Sequence, residues 1–231
     1  MSVRKKIVVL SGAGMSAESG IPTFRGADGL WEGHKIEDVA SPQGWFRDRD
    51  LVLEFYNLRR KDIIEAKPNR GHEILAELQE DFDITIVTQN IDDLHERAGS
   101  ENVVHLHGEI RKVQSTVNPN LVYELEGWEL KEGDKCVEGS QLRPHIVWFG
   151  EAVPMIDVAS KIVTQADILA IVGTSMAVYP AAGLVHYASS ESRKFMIDPN
   201  LPTVDGIPNL QGISNVATKG LEEFRGLISD S

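Results

Sequence analysis

Val8, Val9 and Leu10 close an apolar run with the character of a buried strand, and the chain passes from it directly into Ser11-Gly12-Ala13-Gly14. Gly12 and Gly14 permit a tight turn and a close backbone approach to a ligand. Met15 to Ser19 can then open a helix whose free N–H groups face a phosphate. An ordinary strand-to-helix turn would use the same residues, so the continuation matters. A dinucleotide dehydrogenase would present a second strand with an acidic residue about 20 positions on to hold a ribose. This chain has Ser19-Gly20-Ile21-Pro22-Thr23-Phe24-Arg25-Gly26 instead, where Pro22 and its flanking glycines prevent a long helix. An ordered loop is expected, carrying an aromatic ring and a guanidinium beside the phosphates.

Further runs rich in Val and Ile, at 84–88, 103–106, 168–172, 195–197 and 213–216, alternate with helix-like stretches. This predicts an α/β fold of Rossmann-like type, a doubly wound parallel sheet with helices on both faces. Ligands of such sheets bind at the carboxyl ends of the strands. The unusual residues fall there: Ser11–Gly14, Gln89–Asp92, His107-Gly108, Gly173–Ser175 and Asp198–Asn200. Two stretches break the alternation. Residues 27–80 carry a loop and then helices, with Leu51, Phe55 and Leu58 at helical spacing and Pro68 ahead of a second helix bearing Leu75 and Leu78. Residues 111–144 are polar and contain Gly127, Gly133 and Gly139. They are read together as a smaller module, 27–80 and 111–144, packed over a ligand-binding part formed by approximately 1–26, 81–110 and 145–231. The whole chain, 1–231, is then one domain with its active site in the cleft between the two parts.

Composition narrows the partners. The net charge of −12, from 23 basic against 35 acidic residues, argues against direct nucleic-acid binding and favours the approach of lysine-rich polypeptides. The basic start, Met1 to Lys6, is followed by an apolar run that ends at Ser11, too short for a signal peptide or a membrane span. The single cysteine, Cys136, excludes an intramolecular disulfide and fits a reducing compartment. A cytoplasmic location is expected.

Chemistry-bearing residues follow two of the strands. Thr88-Gln89-Asn90-Ile91-Asp92 places amides and a carboxylate at a strand end, where they can bind a ribose and a carboxamide, or where Asn90 and Asp92 can cap a helix over 93–98. His105 and His107 share a face of the next strand, so spacing does not choose between them. No third ligand lies at metal-binding spacing. A neutral imidazole, with an unperturbed pKa of about 6.5, suits a proton acceptor near neutrality.

Gly12-Ala13-Gly14-Met15-Ser16-Ala17-Glu18-Ser19-Gly20-Ile21-Pro22-Thr23-Phe24-Arg25 resembles the first signature of the sirtuins, the NAD-dependent protein lysine deacylases. Thr88–Asp92, His107-Gly108 and Gly173-Thr174-Ser175 resemble the motifs that follow it in that family. The resemblance implies NAD consumed as a co-substrate and acylated lysine side chains of proteins or peptides as substrate. It assigns Gly12, Ala13, Gly14, Ser16, Ala17, Thr23, Phe24 and Arg25 to NAD, Gln89 to the nicotinamide ribose, and Asn90, Ile91 and Asp92 to the nicotinamide pocket. Gly173, Thr174 and Ser175 are assigned to the phosphates and adenosine ribose. It selects His107 as the catalytic base, aided by Asn90 and Asp92; His105 stands where the family has an acidic residue. By the same resemblance the acyl amide oxygen attacks C1′ and expels nicotinamide. His107 then draws a proton from a ribose hydroxyl, and the acyl group leaves on ADP-ribose. Residues 143–154 and the loop Met176–Tyr179, with Val178, would sandwich the substrate as an added strand. Val147, Trp148, Phe149 and Gly150 would line its tunnel. Asp198 replaces the family's asparagine on the adenosine side, and Gly220 lies in a loose match to the adenine-side turn.

Two departures carry expectations. The family's zinc cysteines would align with Ser115, Asn118, Lys135 and Glu138, none of them a cysteine, so no zinc is expected and the former zinc-ribbon segment must be held by packing around Val113, Val117, Leu121, Val122, Tyr123, Leu125 and Trp128. Tyr56 and Arg59, three apart on one helical face with Ala40 sixteen residues before Tyr56, resemble the subgroup that removes succinyl and malonyl groups. Arg59 and Tyr56 would then read the acyl carboxylate, and Arg60 would be structural. ADP-ribosyl transfer to protein, and NAD sensing without turnover, are the alternatives.

Overall fold

The computed structural model describes residues 4–23, 30, 31, 33–202 and 206–229. Its strands and helices run β1 (Lys6–Ser11), β2 (Leu30–Trp31), β3 (His34–Lys35), α1 (Ile36–Val39), α2 (Pro42–Arg47), α3 (Arg49–Glu65), α4 (Arg70–Glu77), β4 (Asp83–Thr88), α5 (Leu94–Arg97) and β5 (Val103–His105). They continue with β6 (Gly108–Ser115), β7 (Val122–Glu124), β8 (Leu142–Ile146), α6 (Ile156–Val163), β9 (Ile168–Val172), β10 (Arg193–Ile197), β11 (Leu210–Ile213) and α7 (Ala217–Ser229). Among the described residues no helix is long and apolar enough to cross a membrane.

Six strands form one parallel sheet in the order β11-β10-β9-β1-β4-β5. The side-chain period of two explains why it is covered on both faces. Ile7 and Val9 of β1, with Ile84, Ile86, Ile168, Ala170, Phe195 and Ile197, pack under α4 and α7 through Ile74, Leu75, Leu221 and Phe224. The alternate residues Val8, Leu10, Val87, Leu169, Ile171 and Met196 pack against Ala159 and Val163 of α6 and against the 3-10 helix Ala181–Tyr187. This is the doubly wound Rossmann-like arrangement. Its last strand lies three residues earlier than the apolar run at 213–216 suggests. Ile213 pairs with Ile197 at the end of β10, so the chain beyond it has already left the sheet.

A third cluster joins α1–α3 to the antiparallel sheet β7-β6-β8, through Val39, Trp45, Val52, Phe55, Tyr56, Ile110, Val113 and Trp148. The inner face of α3 is only partly the one that Leu51, Phe55 and Leu58 mark: Phe55 is buried and Leu51 packs against its cluster, but Leu58 is 54% exposed, whereas Asn57, Arg59 and Arg60 are buried. Arg60 explains this. Its guanidinium donates to the Ile110 carbonyl (2.6 Å), the Trp128 carbonyl (2.7 Å) and Asn57 Oδ1 (2.8 Å), while Asn57 exchanges hydrogen bonds with the Leu130 backbone (2.9 Å each). Buried polar groups thus stitch α3 to an irregular segment.

The packing expected for residues 111–144 is only partly present. Val113 is buried and Tyr123 and Leu125 pack against its cluster, but Val117, Val122 and Trp128 are exposed. A polar knot holds this end of the sheet. Ser115 Oγ accepts from the amides of Val117 (3.2 Å) and Asn118 (3.0 Å) and lies 2.7 Å from Ser140 Oγ, which is 3.0 Å from Cys136 Sγ. Asn118 donates to Glu138 (3.2 Å). These residues do not fit a zinc ion. They offer one thiol, and among the described residues no group of three or more His, Cys, Asp or Glu side chains is placed to hold a metal. Ser115→Ala should strand the two amides and lower unfolding free energy by about 1–3 kcal/mol in urea titration, while a chelator should leave the wild-type midpoint unchanged.

Candidate active site

The sheet reverses its winding between β1 and β9, and the loops leaving these two strands lock together. Gly12 N–H donates to the Val172 carbonyl (2.9 Å) and Gly14 N–H to the Gly173 carbonyl (2.8 Å). A Cβ on Gly14 would lie 2.6 Å from Gly173 Cα, and Gly173 itself takes a left-handed φ of +62°. The expected helix at 15–19 is therefore replaced by two 3-10 turns, Ala13–Met15 and Ala17–Ser19. Both glycine amides are engaged in joining the loops, and Gly20 ends the second turn in a left-handed conformation.

Side chains extend this junction. Ser16 Oγ donates to Asp92 (2.9 Å) and accepts from Asn90 Nδ2 (3.2 Å), and the other Asp92 oxygen accepts the Leu94 amide (3.2 Å). Asp92 thus holds the first amide of α5 from one residue before its N-cap, Asp93, and also belongs to the Ser16 network. Burial pushes its carboxyl upward, opposed by the Leu94 amide and the Ser16 hydroxyl. Gln89 Nε2 donates to Thr174 Oγ1 (3.2 Å), tying the second motif to the fourth.

His107 follows β5, its Nδ1 3.1 Å from the Gln89 carbonyl. A carbonyl only accepts, so Nδ1 carries the proton and a neutral ring presents Nε2 as a lone pair. Burial holds His107 below the usual histidine value of 6.5, with the Gln89 contact opposing. The adjoining stretch is set by backbone: Val147 N–H donates to the His107 carbonyl (2.9 Å) and Phe149 N–H to the Ala40 carbonyl (3.0 Å). Arg143 pairs with both Glu151 oxygens (2.7 and 3.0 Å) and stacks 3.5 Å from the Trp148 ring, and Glu151 accepts the Trp148 amide (2.8 Å).

These loops border one cavity of about 600 Å³. Gly12, Ala13, Gly14, Ser16, Ala17, Thr23, Gln89, Asn90, Ile91, Asp92, Gly173, Thr174, Ser175 and Asp198 line it, and Ala40, Tyr56, Arg59, His107, Val147, Trp148, Phe149, Gly150 and Val178 line it too. Phe24 and Arg25 lie outside the described residues. Gly220 is not on the wall; it sits within α7, where a Cβ would meet Ile197 Cγ2 at 2.2 Å, so it serves helix-to-sheet packing. Asp198 turns one oxygen back to the Asn200 amide (2.8 Å). Trp31, Asp62, Ile63 and Val216 line the cavity without a motif to mark them. The spacing that pairs Tyr56 with Arg59 reaches Asp62 and Ile63 one turn further on; for Trp31 and Val216 the sequence holds no such signal.

The family model described as Sir2 family matches residues 12–180, the span that contains these loops. The chain belongs to the Sir2 family. It is 53% identical over 229 residues to a protein of Bacteroides thetaiotaomicron named NAD-dependent protein deacylase, covering 97% of this chain and 98% of that one. A Helicobacter pylori protein of the same name is 51% identical, with 95% and 96% covered. The crystal structure of a Sir2 homologue in complex with NAD superposes on this Sir2 chain with a TM-score of 0.87 at 39% identity, covering 98% of this chain and 90% of the other. Gly14→Ala should force the two interlocked loops apart. Calorimetry should find NAD binding weakened tenfold or more, and unfolding free energy should fall by about 1–3 kcal/mol.

Proposed function

We propose that this Sir2-family chain is an NAD-dependent protein lysine deacylase that removes succinyl and malonyl groups as well as acetyl. Family membership and the activity named for relatives that match it nearly end to end support the reaction class. The acyl preference rests on one observation, a hydroxyl and a guanidinium side by side on α3 at the wall of the His107 cavity. Tyr56 is fully buried and accepts a hydrogen bond from Trp148 Nε1 (3.0 Å). With that lone pair occupied, its own O–H is left to donate, and burial keeps it protonated. The Arg59 guanidinium lies 3.8 Å from the Phe55 ring and 4.6 Å from the Trp31 ring, and these contacts hold it at the cavity wall. A terminal acyl carboxylate would meet one neutral donor and one planar cation.

In this reading NAD supplies the electrophilic sugar carbon and is consumed. Gly12, Gly14 and Gly173 shape the floor under its phosphates, and the Gln89–Asp92 loop faces the nicotinamide side. Backbone pairing of the substrate with 147–150 delivers the acyl-lysine past Trp148. His107 Nε2 takes the ribose-hydroxyl proton that must leave before the acyl group can move. With one water consumed as the amine leaves, the net result is nicotinamide, O-acyl-ADP-ribose and free lysine.

Incubation with labelled NAD and succinylated peptide should release nicotinamide and soluble acyl-ADP-ribose. Label retained on protein would favour ADP-ribosyl transfer instead. Arg59→Met should cost desuccinylation about 2–5 kcal/mol in kcat/KM, and deacetylation far less; equal losses would remove Arg59 from the specificity role. Because His107 titrates below 6.5, the base is neutral above that value and protonates as pH falls. The acid limb of kcat/KM should therefore centre below 6.5, and His107→Ala should bind NAD but form O-acyl-ADP-ribose and free lysine about 100-fold more slowly or worse.

A further inference from the structure

His105 and His107 hold consecutive carbonyls of one loop. His107 Nδ1 lies 3.1 Å from the Gln89 carbonyl and His105 Nδ1 lies 3.1 Å from that of Asn90. The second ring nitrogen of His105 is also engaged, with Nε2 2.7 Å from a Glu96 carboxylate oxygen. Both partners of His105 are oxygens that only accept. The ring can satisfy both only with two protons, and a neutral ring has one N–H to give. The charge-assisted bond to Glu96 is the stronger, so on deprotonation the remaining proton stays on Nε2 and a lone pair turns toward the Asn90 carbonyl.

We propose that His105 is a positioning residue for the nicotinamide-side loop: as an imidazolium it clamps Asn90 against Glu96, and as a neutral imidazole it lets the Asn90–Asp92 segment loosen. The loop so held carries Asn90 and Asp92, which join Ser16 in the network behind the cavity. The charged surroundings favour the clamped form. Glu96 on α5, Glu109 on β6 and the Asp92 carboxylate face the ring, and Lys112 is paired with Glu109 (2.9 Å). The two other titratable neighbours, His95 on α5 and His145 on β8, are pushed down chiefly by burial and stay uncharged near neutrality. Burial opposes the charge on His105, but the Glu96 pair outweighs it and its pKa is raised above 6.5. A raised folded pKa means that the clamp is fully present at lower pH and is lost as pH rises through that value. His107 moves the opposite way. The two rings are therefore shifted in opposite senses, His105 toward the charged form that holds the loop and His107 toward the neutral form that accepts a proton.

Glu96→Gln tests this, at a half-exposed position where folding is not at stake. The carboxamide it introduces can donate to Nε2, so a neutral His105 keeps Nδ1–H on the Asn90 carbonyl. In the wild type, imidazole NMR should show His105 titrating above 6.5. Amide protection at residues 90–92, corrected for intrinsic exchange, should fall roughly fivefold across that titration, the loss of one hydrogen bond. NAD-dependent nicotinamide release should decline in step. In E96Q, His105 should titrate lower, and protection and turnover should stay level over the same range. Unchanged loop protection through the His105 titration, or the same alkaline loss in both proteins, would overturn the proposal. The activity arm rests on the deacylase reading. Failure to release nicotinamide at any pH would sink that reading, while the exchange measurement on NAD-free protein would still decide the role of His105.

Discussion

Two backbone segments that touch without side chains between them set the geometry of this molecule. The loops leaving β1 and β9 meet at Gly12, Gly14 and Gly173, where each added Cβ would fall 2.4–2.7 Å from its nearest atom across the junction. The sheet winds outward in both directions from this point, which makes it the natural crevice for a ligand. Glycine removes bulk here, and the hydrogen bonds from Gly12 and Gly14 convert that space into a fixed joint. The cavity floor is consequently rigid before any ligand arrives, which reduces the ordering cost of binding.

Short polar links carry this rigidity outward. Ser16 holds Asp92 and Asn90, Gln89 holds Thr174, and the Gln89 and Asn90 carbonyls each engage a histidine. From His107 the line continues through backbone to Val147, and from Phe149 to Ala40. Each link joins residues remote in sequence, so the site assembles only with the whole fold. The same wiring gives His105 and His107 opposite electrostatic surroundings although they stand two residues apart. One faces a carboxylate and the other does not.

The sheet was legible because β-branched runs with a period of two repeat around glycine-containing strand ends, and that pattern has few alternative solutions. The cavity wall was legible where motifs cluster at those ends. Other features depend on tertiary partners that spacing does not encode. The inner face of α3 carries polar residues beside its apolar ones because Arg60 and Asn57 meet backbone groups some 50 to 73 residues away in sequence. Gly220 reads like part of a ligand turn but answers to Ile197. The 111–144 segment has too little periodicity to reveal that Ser115 would anchor one end of it beside the apolar contacts of Val113, Tyr123 and Leu125. His105 gains its meaning only when Glu96, on a different element, is brought to its far side.

The wall formed by 147–151 is held at three neighbouring points: Val147 on His107, Trp148 on Tyr56, and Phe149 on Ala40. If 147–150 selects the acyl chain and His107 moves the proton, as proposed, the two share one mechanical element. In the proposed deacylase reading, an acyl chain too wide for the tunnel would lift Phe149, and in doing so would drag the neighbouring residues that hold His107. Oversized acyl peptides would on this account be bound in a stalled state rather than merely rejected, which makes the width of the acyl chain a handle for inhibition as well as for specificity.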